Sequence, residues 1–355
     1  MQTTQTDDSA AQLATVESHM VQLGDHQCHY LSCGPATGPL IIFVHGWPEL
    51  SRSWRHQLPV FGGLGFRAVA PDMRGYGQSS VYTRHSDYAQ ELVVGDLCAL
   101  QDALGGQRAI WVGHDWGSPS VWNMASHHPE RCLGVASLCV PYASLERGLD
   151  YCLQSVDRTL YPQDTFPAGQ WEYMRYYEEH FEQAIAPFDA NSRNAVQLLF
   201  RKGDPAGFGQ QAATAFTRIN NGWFPGADSA PLLPLDTDVV TPQDIDAYAE
   251  ALDRNGWFGP ASYYMNHGAN AAYAQRAVND GKLTLPALFI AARYDYTCET
   301  ITSALAEPMR RECTNLTEAT LDSGHWMAQE RPAAVNAQLI QWLVQSVPAA
   351  WPAPG

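Results

Sequence analysis

Asp115 stands at the centre of Gly113-His114-Asp115-Trp116-Gly117. An apolar, β-rich run, Arg108-Ala109-Ile110-Trp111-Val112, leads into it, and Pro119 and a helix-like segment, Val121-Trp122-Asn123-Met124-Ala125, follow. This is the order of a strand, a sharp turn and a helix. The two glycines let a strained turn lift the middle side chain clear of its surroundings. Pro119 suits the first turn of a helix, where its missing N–H costs nothing. A serine in that place would attack acyl carbonyls, because a serine ester can be hydrolysed again. On a saturated carbon it would leave an ether that no neighbouring base can cleave. A carboxylate attacking saturated carbon leaves an alkyl ester, open to hydrolysis at its own carbonyl. Asp115, ahead of a helix N-terminus that favours its ionised form, therefore points to electrophilic sp³ carbon, as in epoxides or alkyl halides. The pentapeptide alone also reads as a tight turn with a capping aspartate, so its partners must decide.

His325 lies in Leu321-Asp322-Ser323-Gly324-His325-Trp326, a predicted loop just past the last strand. A carboxylate nucleophile needs no base to activate it. The histidine's task comes later, as general base for the water that attacks Cγ of alkylated Asp115. An imidazole in that role needs an acceptor on its other nitrogen. Asp295 follows the apolar run Leu288-Phe289-Ile290-Ala291-Ala292, whereas the alternative loop, Cys139-Val140-Pro141, carries no carboxylate. Asp295 is the acid by elimination. Asp322 is its nearest rival, too close in sequence to His325 to reach round the ring easily. His45-Gly46-Trp47-Pro48 follows the first buried strand, and the backbone N–H groups of Trp47 and Trp116 are placed to form an oxyanion hole at one oxygen of Asp115. Their indoles would wall the site with apolar surface.

These residues need a scaffold. An alternating hairpin is predicted at about residues 20–32. Leu40-Ile41-Ile42-Phe43-Val44 has the continuous apolar, β-branched character of a strand buried on both faces. A helix is predicted from Ser53 to Phe61, ended by Gly62-Gly63, then a strand over Phe66–Ala70. Val93, Leu97, Leu100 and Leu104 fall on one face of a helix that stops at Gly105-Gly106, and Leu133–Leu138 forms another strand. Strands alternating with helices imply a parallel α/β sheet whose chemistry sits at its C-terminal edge. The alternation stops after Pro141-Tyr142. Residues 143–273 are rich in aromatics and hold no buried strand, which predicts an inserted helical cap. The core domain is then residues 1–142 and 274–355, with strands at Pro286–Ala292 and near Asn315–Leu321 and a final helix over Pro332–Val347.

Whole-chain composition narrows the function classes. The 355 residues are 45% hydrophobic and carry a net charge of −16, which argues against nucleic acid or an anionic membrane as partner. No apolar run is long enough to span a bilayer. The start, Met1-Gln2-Thr3-Thr4-Gln5-Thr6-Asp7-Asp8, lacks the basic and apolar regions of a signal peptide. Eight cysteines are scattered without CxxC pairs, as expected in a reducing cytoplasm. No metal-ligand spacing appears, and no cofactor is expected.

Together, His45-Gly46-Trp47-Pro48, Gly113-His114-Asp115-Trp116-Gly117, Asp295 and Gly324-His325-Trp326 resemble the epoxide hydrolases of the α/β-hydrolase fold, over about residues 20–345. The resemblance implies conversion of a small apolar epoxide and water to a vicinal diol, by a monomer or homodimer. It also implies two cap tyrosines that activate the epoxide oxygen. Tyr173 matches the first, with Tyr176 and Tyr177 competing; the second falls in Ser262-Tyr263-Tyr264-Met265, where Tyr264 aligns better than Tyr263. A phenol of pKa about 10 can donate to the alkoxide of ring opening. Trp47, Trp116, Met174 and Trp326 are the expected pocket walls, with Met174 where relatives can carry a polar residue. A haloalkane dehalogenase would use the same aspartate, but the Trp47 position carries no asparagine or glutamate for a halide, and two cap tyrosines suit an oxygen leaving group. A non-catalytic binding protein would be expected to lose a polar member of the set, and all five are present.

Overall fold

The computed structural model describes residues 15–352; the acidic start at Met1–Asp8 lies outside the described residues. Eight strands form one sheet: β1 (Glu17–Leu23), β2 (His26–Cys33), β3 (Leu40–Val44), β4 (Arg67–Pro71), β5 (Ala109–His114), β6 (Cys132–Leu138), β7 (Ala287–Ala292) and β8 (Leu316–Leu321). Their spatial order is β1-β2-β4-β3-β5-β6-β7-β8. Only the β1–β2 hairpin and its contact with β4 are antiparallel; from β4 to β8 every pairing is parallel.

The apolar strands explain the layers. Along β3, Leu40, Ile42 and Val44 enter one hydrophobic cluster, while Ile41 and Phe43 enter the other. Ala109 and Trp111 of β5 face the first cluster, and Ile110 and Val112 the second. With residues buried on both faces and parallel neighbours, the central strands need covering on both sides. Helices α1 (Leu58–Gly63), α2 (Gln90–Ala103) and α3 (Gly117–His127), with the terminal helix Pro332–Ser346, supply it.

The expected helix over 53–61 is divided. A 3₁₀ turn spans Ser51–Trp54, and α1 starts afresh at Leu58 with Pro59 in its first turn. Proline has no N–H to give to a preceding turn, so it begins a helix more readily than it continues one. The two glycines lie inside the end of α1 rather than beyond it.

Between β6 and β7 the described chain holds helices and irregular loops but no strand. Its longer helices are Glu172–Asp189, broken at His180, and Pro242–Asn255. Pro242–Asn255 opens with a capping box in which the Thr241 and Asp244 side chains each bind the other's backbone N–H. The fully buried Asp244 also takes Arg52 Nε at 2.7 Å and Arg55 at 3.0 Å. Tyr263 donates its hydroxyl to Arg74 O at 3.0 Å, and Trp326 Nε1 donates to Leu199 O at 2.7 Å. These contacts hold the helical segment across the loops that leave the sheet. Among the described residues no helix is long and apolar enough to cross a membrane.

Candidate active site

β5 extends through Gly113 and His114, and Asp115 turns the chain with φ of +50° before α3 begins at Gly117. A left-handed conformation costs a non-glycine residue about 1–2 kcal/mol, so the surroundings must enforce it. Two close approaches do. A Cβ on Gly117 would sit 2.1 Å from Val44 O, and one on Gly113 would sit 2.5 Å from Gly117 O. Strand and helix meet too closely for any side chain, and Asp115 is left at the tip.

One face of its carboxylate is tied to the loop after β3. Trp47 N–H donates to Asp115 Oδ1 at 2.6 Å. A Cβ on Gly46 would lie 2.4 Å from Asp115 Oδ1 and 2.6 Å from the nitrogen of Trp116, so the loop after β3 is pressed against the turn. On the other side His325 Nε2 stands 3.4 Å from Asp115 Oδ2. His325 Nδ1 lies 2.6 Å from Asp295 Oδ2, and Asp295 Oδ1 accepts the N–H groups of Cys298 at 3.0 Å and Thr297 at 3.2 Å. Asp115, His325 and Asp295 thus converge from the ends of β5, β8 and β7. Asp322 does not compete: it pairs with Arg293 at the surface.

Burial alone would push the proton off His325, but the Asp295 charge and the hydrogen bonds to Asp115 and Asp295 reverse this and hold its pKa well above the usual histidine value. Burial likewise works against the Asp295 carboxylate, yet the facing imidazole keeps it below its ordinary range. The resting imidazole is therefore flanked by two acceptors and holds both protons.

A cavity of about 180 Å³ opens above the carboxylate, lined by Asp115, His325, Tyr173, Tyr264 and the indoles of Trp47, Trp223 and Trp326. The rings of Tyr173 and Tyr264 meet edge to face at 5.5 Å. Burial first, and then nearby groups including Asp115, raise both phenols well above their ordinary pKa, so they remain donors at neutral pH. The competing tyrosines lie elsewhere: Tyr176 bonds Asn221 O, Tyr177 stacks on Tyr264 at 4.9 Å, and Tyr263 bonds Arg74 O.

Two expected pocket walls are corrected. Met174 is fully buried and does not line the cavity. It follows Tyr173 on one helix, and successive helical side chains diverge by about 100°. The Trp116 indole is also absent from the lining; it lies behind Tyr264, ring centroids 5.2 Å apart, at 1% exposure. Trp47 and Trp326 do line the cavity, and Trp223, Cys298 and Leu199 join them unforeseen.

A buried ion pair beneath the site also escaped the sequence. His114 Nδ1 lies 2.8 Å from Glu49 Oε2, and its Nε2 lies 2.7 Å from the carbonyl oxygen of His325. Both ring nitrogens face acceptors only, so His114 is an imidazolium. Burial opposes its charge, but Glu49 raises its pKa to about 10. Burial would also raise Glu49, and the charge and hydrogen bond of His114 bring it instead to about 2. The signals were a carboxylate ending His45-Gly46-Trp47-Pro48-Glu49 and a histidine directly before the central aspartate.

Among the described residues, two groups of donor atoms come within 4.8 Å: His114, Cys139 and His325, and Asp295, Cys298 and His325. In each, histidine nitrogens are already engaged by Glu49, Asp295 or Asp115, so hydrogen bonding accounts for the closeness.

The profile of the alpha/beta hydrolase fold family matches residues 39–332. Epoxide hydrolase B of Mycobacterium tuberculosis is 33% identical over 332 residues, covering 86% of this chain and 91% of its own. The pig bifunctional epoxide hydrolase 2 is 30% identical over 89% of this chain, which spans only 53% of that longer relative. The crystal structure of epoxide hydrolase A from Mycobacterium thermoresistibile superposes with a TM-score of 0.74 at 30% identity, covering 93% of this chain and 99% of that one. Fold and site thus define an α/β hydrolase with a carboxylate at its central turn. Within that class the chain belongs to the epoxide hydrolase family.

Proposed function

We propose that this protein opens epoxides to vicinal diols through a covalent ester on Asp115. The observation that carries the reading is the division of labour at the Asp115 carboxylate: Oδ1 bound by Trp47 N–H, Oδ2 beside His325 and below a cavity lined by two phenols. The less encumbered Oδ2 attacks an epoxide carbon. The C–O bond breaks, and Tyr173 or Tyr264 supplies a proton to the departing oxygen. Ester formation neutralises Asp115 and removes one of the interactions holding the extra proton on His325, and that proton passes to the phenolate left by ring opening. Neutral His325, oriented by Asp295, then takes a proton from water as that water attacks Cγ. The charge that develops on Oδ1 is met by the N–H groups of Trp47 and Trp116. Collapse of the adduct releases the diol and restores the carboxylate.

In this reading residues 143–273 act as the cap that brings the tyrosines over the core, the substrate is a small apolar epoxide, and the setting is the cytoplasm. The test is a paired assay with styrene oxide and a bromoalkane, scored for diol and for bromide. Diol without bromide is expected; bromide as the main product would make the protein a dehalogenase.

A further inference from the structure

A second cluster with the geometry of a nucleophilic centre lies outside the Asp115 cavity. Ser18 is exposed on β1, and its Oγ lies 2.8 Å from His29 Nε2 on β2. His29 Nδ1 lies 2.7 Å from Oδ2 of Asp72, the residue that follows β4. Ser18 pairs with Leu31 and Met20 with His29, which makes Ser18 and His29 diagonal neighbours on one face of the hairpin.

The protons in this chain are fixed by its far end. Asp72 is 3% exposed and also accepts Ser51 N–H at 2.9 Å and Gln78 N–H at 3.0 Å. Burial would raise its pKa, but the hydrogen bonds from His29 and Ser51 and the histidines nearby bring it to about 2. In the tautomer that donates Nδ1–H to Asp72, Nε2 is left to accept the hydroxyl proton of Ser18. That is the arrangement by which a serine loses its proton as it attacks, and such constellations are recognised by geometry and role rather than by fold.

All three residues line a groove of about 640 Å³ that shares no lining residue with the Asp115 cavity. Met20, Leu31 and Leu50 give it an apolar side, and Arg52 and Arg254 bring guanidinium groups to it. Each arginine spends one donor elsewhere, Arg52 Nε on Asp244 and Arg254 Nη2 on Gly77 O, and keeps others. We propose that Ser18, His29 and Asp72 form a second, acyl-transfer centre for carboxylic esters, whose apolar part would lie against Met20, Leu31 and Leu50. Ser18 Oγ bonds to the carbonyl carbon while its proton passes to His29 Nε2, and the guanidinium groups meet the oxyanion. The carbon–alkoxy bond then breaks, and the alcohol leaves with that proton. Water attacks the acyl-serine by the same route, giving its proton to His29. The carboxylic acid departs as Ser18 Oγ recovers a proton.

The same hairpin supplies an internal control. Ser32 Oγ lies 2.8 Å from His19 Nε2, but among the described residues the carboxylate paired with His19, Glu17 at 3.5 Å, is on that same nitrogen. The experiment treats the Asp115→Asn protein with a fluorophosphonate, which loses fluoride to an activated serine, and maps the adduct by peptide mass spectrometry. One adduct per chain is expected on Ser18, at least tenfold faster than on Ser32. In the same protein, hydrolysis of p-nitrophenyl acetate should fall to the buffer rate on adding Ser18→Ala. No adduct on Ser18, or equal labelling of Ser18 and Ser32, overturns the proposal, and the mapping needs no variant of the hairpin to fold.

Discussion

His325 Nε2 faces Asp115 Oδ2 at 3.4 Å, and the carboxylate's other oxygen is already taken by Trp47 N–H at 2.6 Å. In the proposed mechanism a base so placed would serve the second of two steps, because the first needs only the carboxylate. His325→Gln should therefore form the ester with styrene oxide and stop, gaining the mass of one epoxide per chain. Asp115→Asn should show neither turnover nor added mass. A His325→Gln protein that stays at its native mass through prolonged incubation removes the covalent route.

The pH response of that base follows from its two flanking carboxylates. In the free enzyme they keep His325 protonated well above the usual histidine range. If Asp115 is esterified as proposed, one of those supports is gone and the imidazole should titrate lower. The ester-cleaving step needs the neutral ring, so its rate should rise with pH to a plateau. The midpoint should lie below the pKa that NMR titration gives for His325 in the free enzyme. Equal midpoints would mean that Asp115 does not interact with the imidazole as the 3.4 Å separation implies.

Tyr173 and Tyr264 are assigned to the ring-opening step, and each shares the cavity with Asp115. Removing one hydroxyl should slow alkylation by about 10²-fold, in line with general acid catalysis, with the second phenol preserving the rest. Single-turnover kinetics of Tyr264→Phe separate this from binding. An unchanged alkylation rate with a raised KM would make the tyrosine a wall of the pocket and no more.

The strands and the three polar members at their ends were legible because each leaves a local mark. Leu40–Val44 is unbroken apolar chain, and Asp115 stands between glycines whose missing Cβ atoms are required by 2.1 Å and 2.5 Å approaches. His325 and Asp295 each directly follow a strand pattern. Pocket walls leave no such mark. Trp223 reaches the cavity from an irregular loop with no periodicity to aim it, and Met174 was misplaced because adjacency on a helix is not a shared face. The Glu49–His114 pair joins the loop after β3 to the end of β5, 65 residues apart, and only the folded chain brings them within 2.8 Å.

That pair carries the last prediction. Glu49 and His114 side chains are each 2% exposed, so each charge depends on the other. Removing one partner of a buried ion pair typically costs about 3–5 kcal/mol, because the remaining charge is stranded. Glu49→Gln should lose stability of that order near pH 5.5, and the gap has a defined pH window. Glu49 is lowered from 4.5 to about 2, so its contribution is present above 4.5 and fades as pH falls toward 2. His114 is raised from 6.5 to about 10, so its contribution is full below 6.5 and fades as pH rises toward 10. The stability difference between the native protein and Glu49→Gln should therefore peak between the two ordinary values and shrink on both sides. Urea unfolding of both proteins at acidic, mildly acidic and alkaline pH reads it directly. A difference that stays flat from pH 5.5 to pH 10 would mean that His114 sits there uncharged. Its hold on the His325 carbonyl would then be that of a neutral ring donating a single hydrogen bond.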